Sequence, residues 1–173
     1  MGIHSVALLT GSNHRGKEQI LRRAAEHIAC RVGEIARASQ IHYSEAWGFH
    51  SESEFANQAL IVETTLKPIE VLEEVLAIEQ GLGRDRAEEA REREATGERY
   101  ASRVVDIDVI FYDDYVCESE RLTLPHKLMH ERDFVLRPLC EVAPDWRHPR
   151  LGKSVLEMQN AKLRVSEGRI TLV

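Results

Sequence analysis

The chain has 173 residues, 43% of them hydrophobic and 30% charged, with a formal net charge of −6. That length suits one domain with a real core and leaves little room for two. The acidic balance argues against a nucleic-acid binder that works by bulk charge. Cys30, Cys117 and Cys140 lie far apart in no paired pattern. They read as reduced thiols of a cytoplasmic protein, neither a disulfide framework nor a zinc site. No apolar run has the length of a transmembrane helix, so no membrane partner is expected. The stretch "MGIHSVALLTGSN" turns polar too soon for a signal peptide.

In chain order, "HSVALLT" (4–10) predicts a first strand. "KEQILRRAAEHIACRV" then carries Ile20, Leu21, Ala24, Ala25, Ile28 and Val32 at helical spacing, closed by Gly33. Residues 33–44 predict a second strand, 45–53 an aromatic loop, and "FANQALIVETT" (55–65) a third strand. Pro68 opens a second helix that buries Leu72, Val75 and Leu76 and ends at Gly81 or Gly83. Residues 84–103 are almost devoid of apolar side chains and read first as a solvated excursion. A strand follows within "SRVVDIDVIFYDD" (102–114). "RLTLPH" (121–126) is extended and runs into a proline turn, and residues 131–144 form a short helix stopped by Pro144. The tail "LRVSEGRITLV" suggests a final hairpin. The order β-α-β-β-α-β is that of a ferredoxin-like α+β fold. Its antiparallel sheet carries helices on one face, with additions after the core.

The strand at 102–114 holds the clearest chemistry. Asp106 and Asp108 are two apart, so both carboxylates leave one face while Val105, Ile107, Val109 and Phe111 leave the other. Carboxylates on a strand are expensive to desolvate without a cation. Two at a strand's exposed end can also be merely solvated. Both flanks are apolar, however, and Arg103 and Arg121 stand on either side. A pair of hard carboxylates suits Mg2+, which keeps several waters and takes substrate phosphates as its other ligands. His126 and His130, four apart with no third ligand nearby, read as non-metal histidines.

Three further features bear on that site. "GSNHRGKE" (11–18) fits a phosphate-binding G-x-x-x-x-G-K loop until Glu18 stands where Ser or Thr should ligate magnesium. A glycine turn opening a helix is the plainer reading. Glu79 lies on the apolar stripe of the second helix, either emerging at the helix end or bordering the aspartate cleft. The charged stretch contains Arg84, Arg86, Arg91, Arg93 and Arg99 and leads directly to the aspartates. A loop bearing arginines beside a metal site serves phosphoryl transfer, by neutralising charge and excluding water.

The segments "GSN" (11–13), "WGFHSESEFANQALIVET" (47–64), "IEQGLGRDR" (78–86), "YASRVVDIDVIFYD" (100–113), "RLTLPH" (121–126) and "RDFVLRPLCEVAPDWRHP" (132–149) occur in an informative order. The chain resembles the 6-hydroxymethyl-7,8-dihydropterin pyrophosphokinases from residue 5 to about residue 156. The resemblance implies transfer of pyrophosphate from ATP to the pterin hydroxymethyl group, releasing AMP, in folate biosynthesis. It implies two Mg2+ ions on Asp106 and Asp108, with Arg84 and Arg103 joining them in catalysis. Phe55 and Phe134 would sandwich the pterin ring, an arrangement that suits a flat aromatic ligand. Asn57 would offer donor and acceptor to its amide-like edge, and Ser44, Trp47 and Arg132 would complete that pocket. Glu79, Arg86, Arg99, Ile107, Val109, Arg121, Leu122, Thr123 and His126 would contact ATP.

The expectation is therefore a single catalytic domain over 1–173, monomeric and cytoplasmic, with a mobile arginine loop at about 84–103 and an extension at about 157–173. Two other readings remain open at this point. One is a P-loop kinase built on "GSNHRGK"; the other is a non-enzymatic ferredoxin-like binding module.

Overall fold

The computed structural model describes residues 2–44, 54–83 and 104–166. Strand β1 spans His4–Ser12, and every residue from Val6 to Ser12 is buried. A run apolar on both faces belongs in the middle of a sheet covered on both sides. Helix α1 (Lys17–Arg31) buries Leu21, Ala24 and Ile28, the three-and-four spacing of one helical stripe. Gly33 then turns the chain back across the sheet. A Cβ there would lie 1.9 Å from the Glu63 carbonyl oxygen, so only glycine permits the approach. Strands β2 (Glu34–Ala38), β3 (His42–Ser44) and β4 (Phe55–Thr64) follow. Helix α2 (Pro68–Gly81) has Pro68 in its first turn, and the Lys67 N–H donates to Glu70 at 2.9 Å. Proline loses nothing there, because a first-turn N–H has no helical partner. Strand β5 (Asp106–Tyr112) completes the sheet.

The strands lie in the order β2-β4-β1-β5, all antiparallel, with β3 extending the β2 side along β4. This is the ferredoxin-like βαββαβ arrangement. Helices α1 and α2 pack on one face over Val6, Leu8, Leu60, Val62, Ile107 and Val109. The other face is closed by the additions, α3 (Asp133–Val142) and α4 (Val155–Ser166). These pack over Ala7, Leu9, Ala59 and Ile61. A small hairpin of β6 (Cys117–Glu118) and β7 (Thr123–Leu124) and a 3-10 turn at Met129–Glu131 connect β5 to α3.

Four expectations are corrected. Residues 33–44 form two strands, because Ser39 leaves the ladder to bond β4: its hydroxyl accepts the Ala59 N–H at 2.9 Å, and its carbonyl accepts Gln58 Nε2 at 2.8 Å. Phe111 does not share a face with Val109. The register shifts between Leu8↔Val109 and Ala7↔Phe111, so a bulge at Ile110 turns Phe111 toward α3 and α4. Leu72 and Leu76 are only half-buried, while Val71, Val75, Ile78 and Glu79 take the buried stripe of α2. Leu163–Ser166 belong to α4 and not to a hairpin; the rest of that tail lies outside the described residues.

Candidate active site

Strand β5 is an edge of the sheet, and a cleft of about 230 Å3 wraps that edge. Asp106, Ile107, Asp108 and Val109 form its floor. Leu72 and Leu76 of α2 wall one side; Arg121, Leu122, Thr123, His126 and Lys127 wall the other. Both aspartates are half-buried and alternate with Ile107 and Val109, which point into the α1/α2 core. The carboxylates therefore leave on the α3 side, as strand alternation requires.

The central strand connects this pair to a second set of side chains. Gly11 of β1 is opposite Asp106 on one side and opposite Asn57 of β4 on the other. Leu9 and Ala59 belong to the α3-side core, so Gly11 and Asn57, two residues further along, share that face. Asp106, Gly11 and Asn57 thus form a row two strand spacings wide, roughly 9–10 Å. Gly11 is what leaves room in the row: a Cβ there would meet Asn57 Oδ1 at 2.7 Å. Asn57 is 5% exposed and its Nδ2 donates to the Ser44 hydroxyl at 3.4 Å. Phe55 is opposite Ser44, and Phe134, in the first turn of α3, packs on the α3-side core; both are half-buried. The Arg132 guanidinium carbon stands 5.6 Å from the Phe134 ring centroid. The "GSN" segment is tied to β5 as well, since the Ser12 hydroxyl donates to the Val104 carbonyl and accepts the His14 N–H.

Glu79 does not emerge into solvent. It is 2% exposed and accepts the Ile107 N–H at 2.7 Å, on the edge of β5 that faces away from β1. His126 donates its backbone N–H to the Ile110 carbonyl at 2.9 Å, which fixes the opposite wall of the cleft against the same strand. Burial holds the His126 imidazole below its usual pKa, helped by Arg132 and opposed by Asp106. It is therefore neutral near pH 7. Arg121 is exposed, 3.5 Å from Glu73. The P-loop reading fails on geometry. Gly11 is a paired strand residue, β1 continues through Ser12, and α1 begins at Lys17.

These features, an acidic pair on an edge strand and a buried carboxamide on the same face of the sheet, coincide with a family match. The model of "7,8-dihydro-6-hydroxymethylpterin-pyrophosphokinase" matches residues 7–144. The chain belongs to that family. A 2-amino-4-hydroxy-6-hydroxymethyldihydropteridine pyrophosphokinase from Synechocystis is 36% identical over 156 residues, 90% of this chain and 74% of the relative. One from Methylorubrum extorquens is 40% identical over 136 residues, covering 78% and 80% of the two chains. Among solved structures, Plasmodium falciparum HPPK-DHPS with pteroate superposes with a TM-score of 0.74 at 13% identity. That match covers 96% of this chain and 46% of the other, so this chain spans under half of that protein. At such identity the likeness speaks for the fold alone.

Within the pyrophosphokinase frame, Trp47, Arg84, Arg86, Arg99 and Arg103 lie outside the described residues. Of the others, Asp106, Ile107, Asp108, Val109, Arg121, Leu122, Thr123 and His126 line the cleft, and Ser44, Phe55 and Asn57 lie together where β3 pairs with β4. Glu79 lies beneath β5 as an anchor for its backbone. Four residues that sequence reasoning did not assign also belong here: Gly11, and Leu72, Leu76 and Lys127, which line the cleft. Leu72 and Leu76 were legible as apolar helix positions, but nothing in their spacing separates a core wall from a cleft wall.

Proposed function

We propose that this chain transfers the pyrophosphoryl group of ATP to the hydroxymethyl oxygen of 6-hydroxymethyl-7,8-dihydropterin, releasing AMP. The observation that carries this is the row Asp106–Gly11–Asn57, with acidic pair and carboxamide on one face of three adjacent strands. It supports a pterin held at Asn57, between Phe55 and Phe134, with its hydroxymethyl arm directed toward the aspartates. Ser44 and Arg132 adjoin that pocket, and Trp47 is assigned to it by resemblance.

The donor set fits a hard cation. Asp106 and Asp108 offer carboxylate oxygens on one face of a half-buried strand. No group of three His, Cys, Asp or Glu side chains suited to a metal occurs among the described residues. Two carboxylates plus substrate phosphates is a Mg2+ arrangement. Asp106 and Asp108 would hold two Mg2+ ions, which when bound supply charge neutralisation on the phosphates. Adenosine would lie along the backbone of Ile107–Val109, against Leu122 and Thr123, with His126 and Arg121 toward the phosphates. A neutral His126 gives or accepts a hydrogen bond there without adding charge. Arg84, Arg86, Arg99 and Arg103 would neutralise the phosphates from the loop. The chemistry asked of the protein is positioning and electrostatics, so no side chain needs to act as a strong base.

The proposal extends to a monomeric, cytoplasmic enzyme without nucleic-acid or membrane partners. The acidic net charge and the free thiols support this, and no described helix is long and apolar enough to cross a membrane. An assay with ATP, Mg2+ and the hydroxymethyl pterin should yield AMP and the pterin diphosphate in equal amounts. Binding of both substrates without AMP would leave a binding module instead.

A further inference from the structure

A second cavity, of about 200 Å3, adjoins the aspartate cleft and shares Thr123, His126 and Lys127 with it. Its other walls include His130, His148, Arg150 and Glu118. No role described above uses His130, His148 or Arg150.

His148 is 5% exposed, and backbone hydrogen bonds to its main chain and to Nδ1 fix its orientation. Its own N–H donates to the Lys153 carbonyl and its carbonyl accepts the Gly152 N–H, both at 2.8 Å. Its Nδ1 accepts the backbone N–H groups of Arg150, at 3.2 Å, and Leu151, at 3.1 Å. A nitrogen that accepts two N–H bonds carries no proton, so the proton is on Nε2, at the other end of the ring. Among the described residues this Nε2–H has no hydrogen-bond acceptor. Two other nitrogens of the cavity-lining histidines, His126 Nδ1 and His130 Nδ1, are buried without a partner among the described residues, whereas His148 Nε2 is not one of those buried atoms. The His130 and His148 rings meet edge to face, with centroids 6.1 Å apart. A polar atom left without a partner calls for an explanation, and a bound water or ion is one.

The sign of the missing partner follows from the charges around it. Burial keeps His126 and His148 below the usual histidine pKa, so they offer neutral N–H groups at pH 7. Lys127 and Arg150 add positive charge. The carboxylates at hand are Asp106, which acts on His126 from the adjoining cleft, Glu118, 3.2 Å from Arg150, and Glu131, 3.7 Å from His130 Nε2. Both glutamates are largely exposed, and such pairs are readily exchanged for another anion. The set is poor for a metal cation and good for a tetrahedral oxyanion.

We propose that this cavity binds a phosphoryl oxyanion on the His148 Nε2–H, with Arg150 and Lys127 supplying charge, as a site separate from the aspartate cleft. The oxyanion is either free inorganic phosphate or the phosphate of a nucleotide reaching across the shared Thr123–His126 edge. The two sources have the same chemistry and are separated by experiment. The site does not depend on the pyrophosphokinase reading.

The test is NMR of the full chain, following the histidine ring nitrogens and the arginine side chains. Inorganic phosphate is titrated in one arm and AMP in the other. Inorganic phosphate should shift His148 Nε2–H and Arg150 saturably. A charge-assisted hydrogen bond is worth about tenfold or more in affinity, so Arg150→Gln should weaken that midpoint by at least this factor. Glu118→Gln, which removes the competing carboxylate, should tighten it. Both side chains are exposed, so neither variant threatens the fold; His148→Phe tests the central donor where the protein tolerates it. If AMP produces the same His148 shift, the nucleotide's own phosphate is the occupant; if only inorganic phosphate does, the free ion is. Shifts confined to Arg121, shifts that never saturate (an adventitious ion only), or midpoints unmoved by Arg150→Gln and Glu118→Gln would each overturn the proposal.

Discussion

Glu79 of α2 accepts the backbone N–H of Ile107, the residue between Asp106 and Asp108, at 2.7 Å and with 2% of its surface exposed. A buried carboxylate loses several kcal/mol of solvation, whereas a hydrogen bond to a charged group contributes about 1.5–3 kcal/mol. What Glu79 adds is position, because it fixes the edge of the strand that carries both aspartates.

Glu79→Ala should therefore lose activity and stability together. Leaving the Ile107 N–H without its acceptor costs about 1–3 kcal/mol, which lowers the unfolding temperature by several degrees in a chain of this size. AMP release should fall as the aspartates lose their register. Glu79→Gln keeps an acceptor and should recover most of the stability. An unchanged melting temperature for Glu79→Ala would mean that the anchor is not one.

Gly11→Ala separates folding from binding in the opposite way. The new Cβ would meet Asn57 Oδ1 at 2.7 Å. The clashing atom is the end of a side chain, so Asn57 rotates and the sheet stays paired. The expected outcome is a near-normal melting temperature with pterin affinity reduced at least several-fold, and with ATP affinity unchanged. Separate titration of each ligand checks this. Equal affinity of variant and parent for the pterin would remove Asn57 from its recognition.

How much of this was legible in the sequence depended on whether a residue's role is local. The acidic pair, the stripe of α1 and Pro68 at the head of α2 are written in short-range spacing, and each was found where expected. The face of Phe111 was not, because it turns on one extra residue in β5 relative to β1, and a bulge leaves no mark in a run of apolar residues. The tail misled for a related reason. Leu163 and Val165 alternate with polar residues as in a strand, yet they are exposed on α4, so their pattern reports no burial. Gly11 and Glu79 illustrate the remaining gap. Their functions are contacts across strands or between helix and strand, which no spacing along the chain encodes.

Phe134→Ala should weaken the pterin much more than ATP. Phe134 packs on the α3-side core with Arg132 stacked at 5.6 Å. Stacking of this kind contributes about 0.5–1.5 kcal/mol beyond area burial, or roughly two- to tenfold in affinity. Isothermal titration with each ligand alone is the measurement. Equal losses for the two would take Phe134 out of the pterin pocket.

The edge of that pocket should also be acid-sensitive. Glu141 of α3 accepts the His42 ring N–H at 2.9 Å and the Gln40 backbone N–H at 3.1 Å, which joins the β3 edge to α3. The bond from His42, more than the bond from Gln40, holds the Glu141 carboxyl below its ordinary value of 4.5, against a smaller effect of burial. A depressed carboxyl contributes stability above its unfolded pKa and loses it as pH falls through the folded one. Glu141→Gln should thus melt below the parent at pH 7, with the gap closing as pH drops below 4.5. A gap that stays constant from neutral pH to pH 3 (an order-of-magnitude bracket around that carboxyl) would show that the charge of Glu141 contributes nothing.

Asp106→Ala and Asp108→Ala should each abolish pyrophosphoryl transfer and leave the fold intact. The side chains removed lie on the cleft face of β5, while Ile107 and Val109 keep their places in the α1/α2 core and the backbone ladder to β1 is untouched. Loss of one carboxylate misplaces the reacting groups, and misplacement alone costs on the order of 10²-fold in rate, before the lost charge stabilisation is counted. Without metal the two like charges repel across one strand face, so each variant should melt no lower than the metal-free parent. With Mg2+ and ATP the order should reverse, since only the parent gains stability from binding. The deciding pair of measurements is AMP release beside thermal unfolding with and without Mg2+ and ATP. Near-normal turnover in either variant would refute the metal assignment, and unfolding of both without metal would make the aspartates structural.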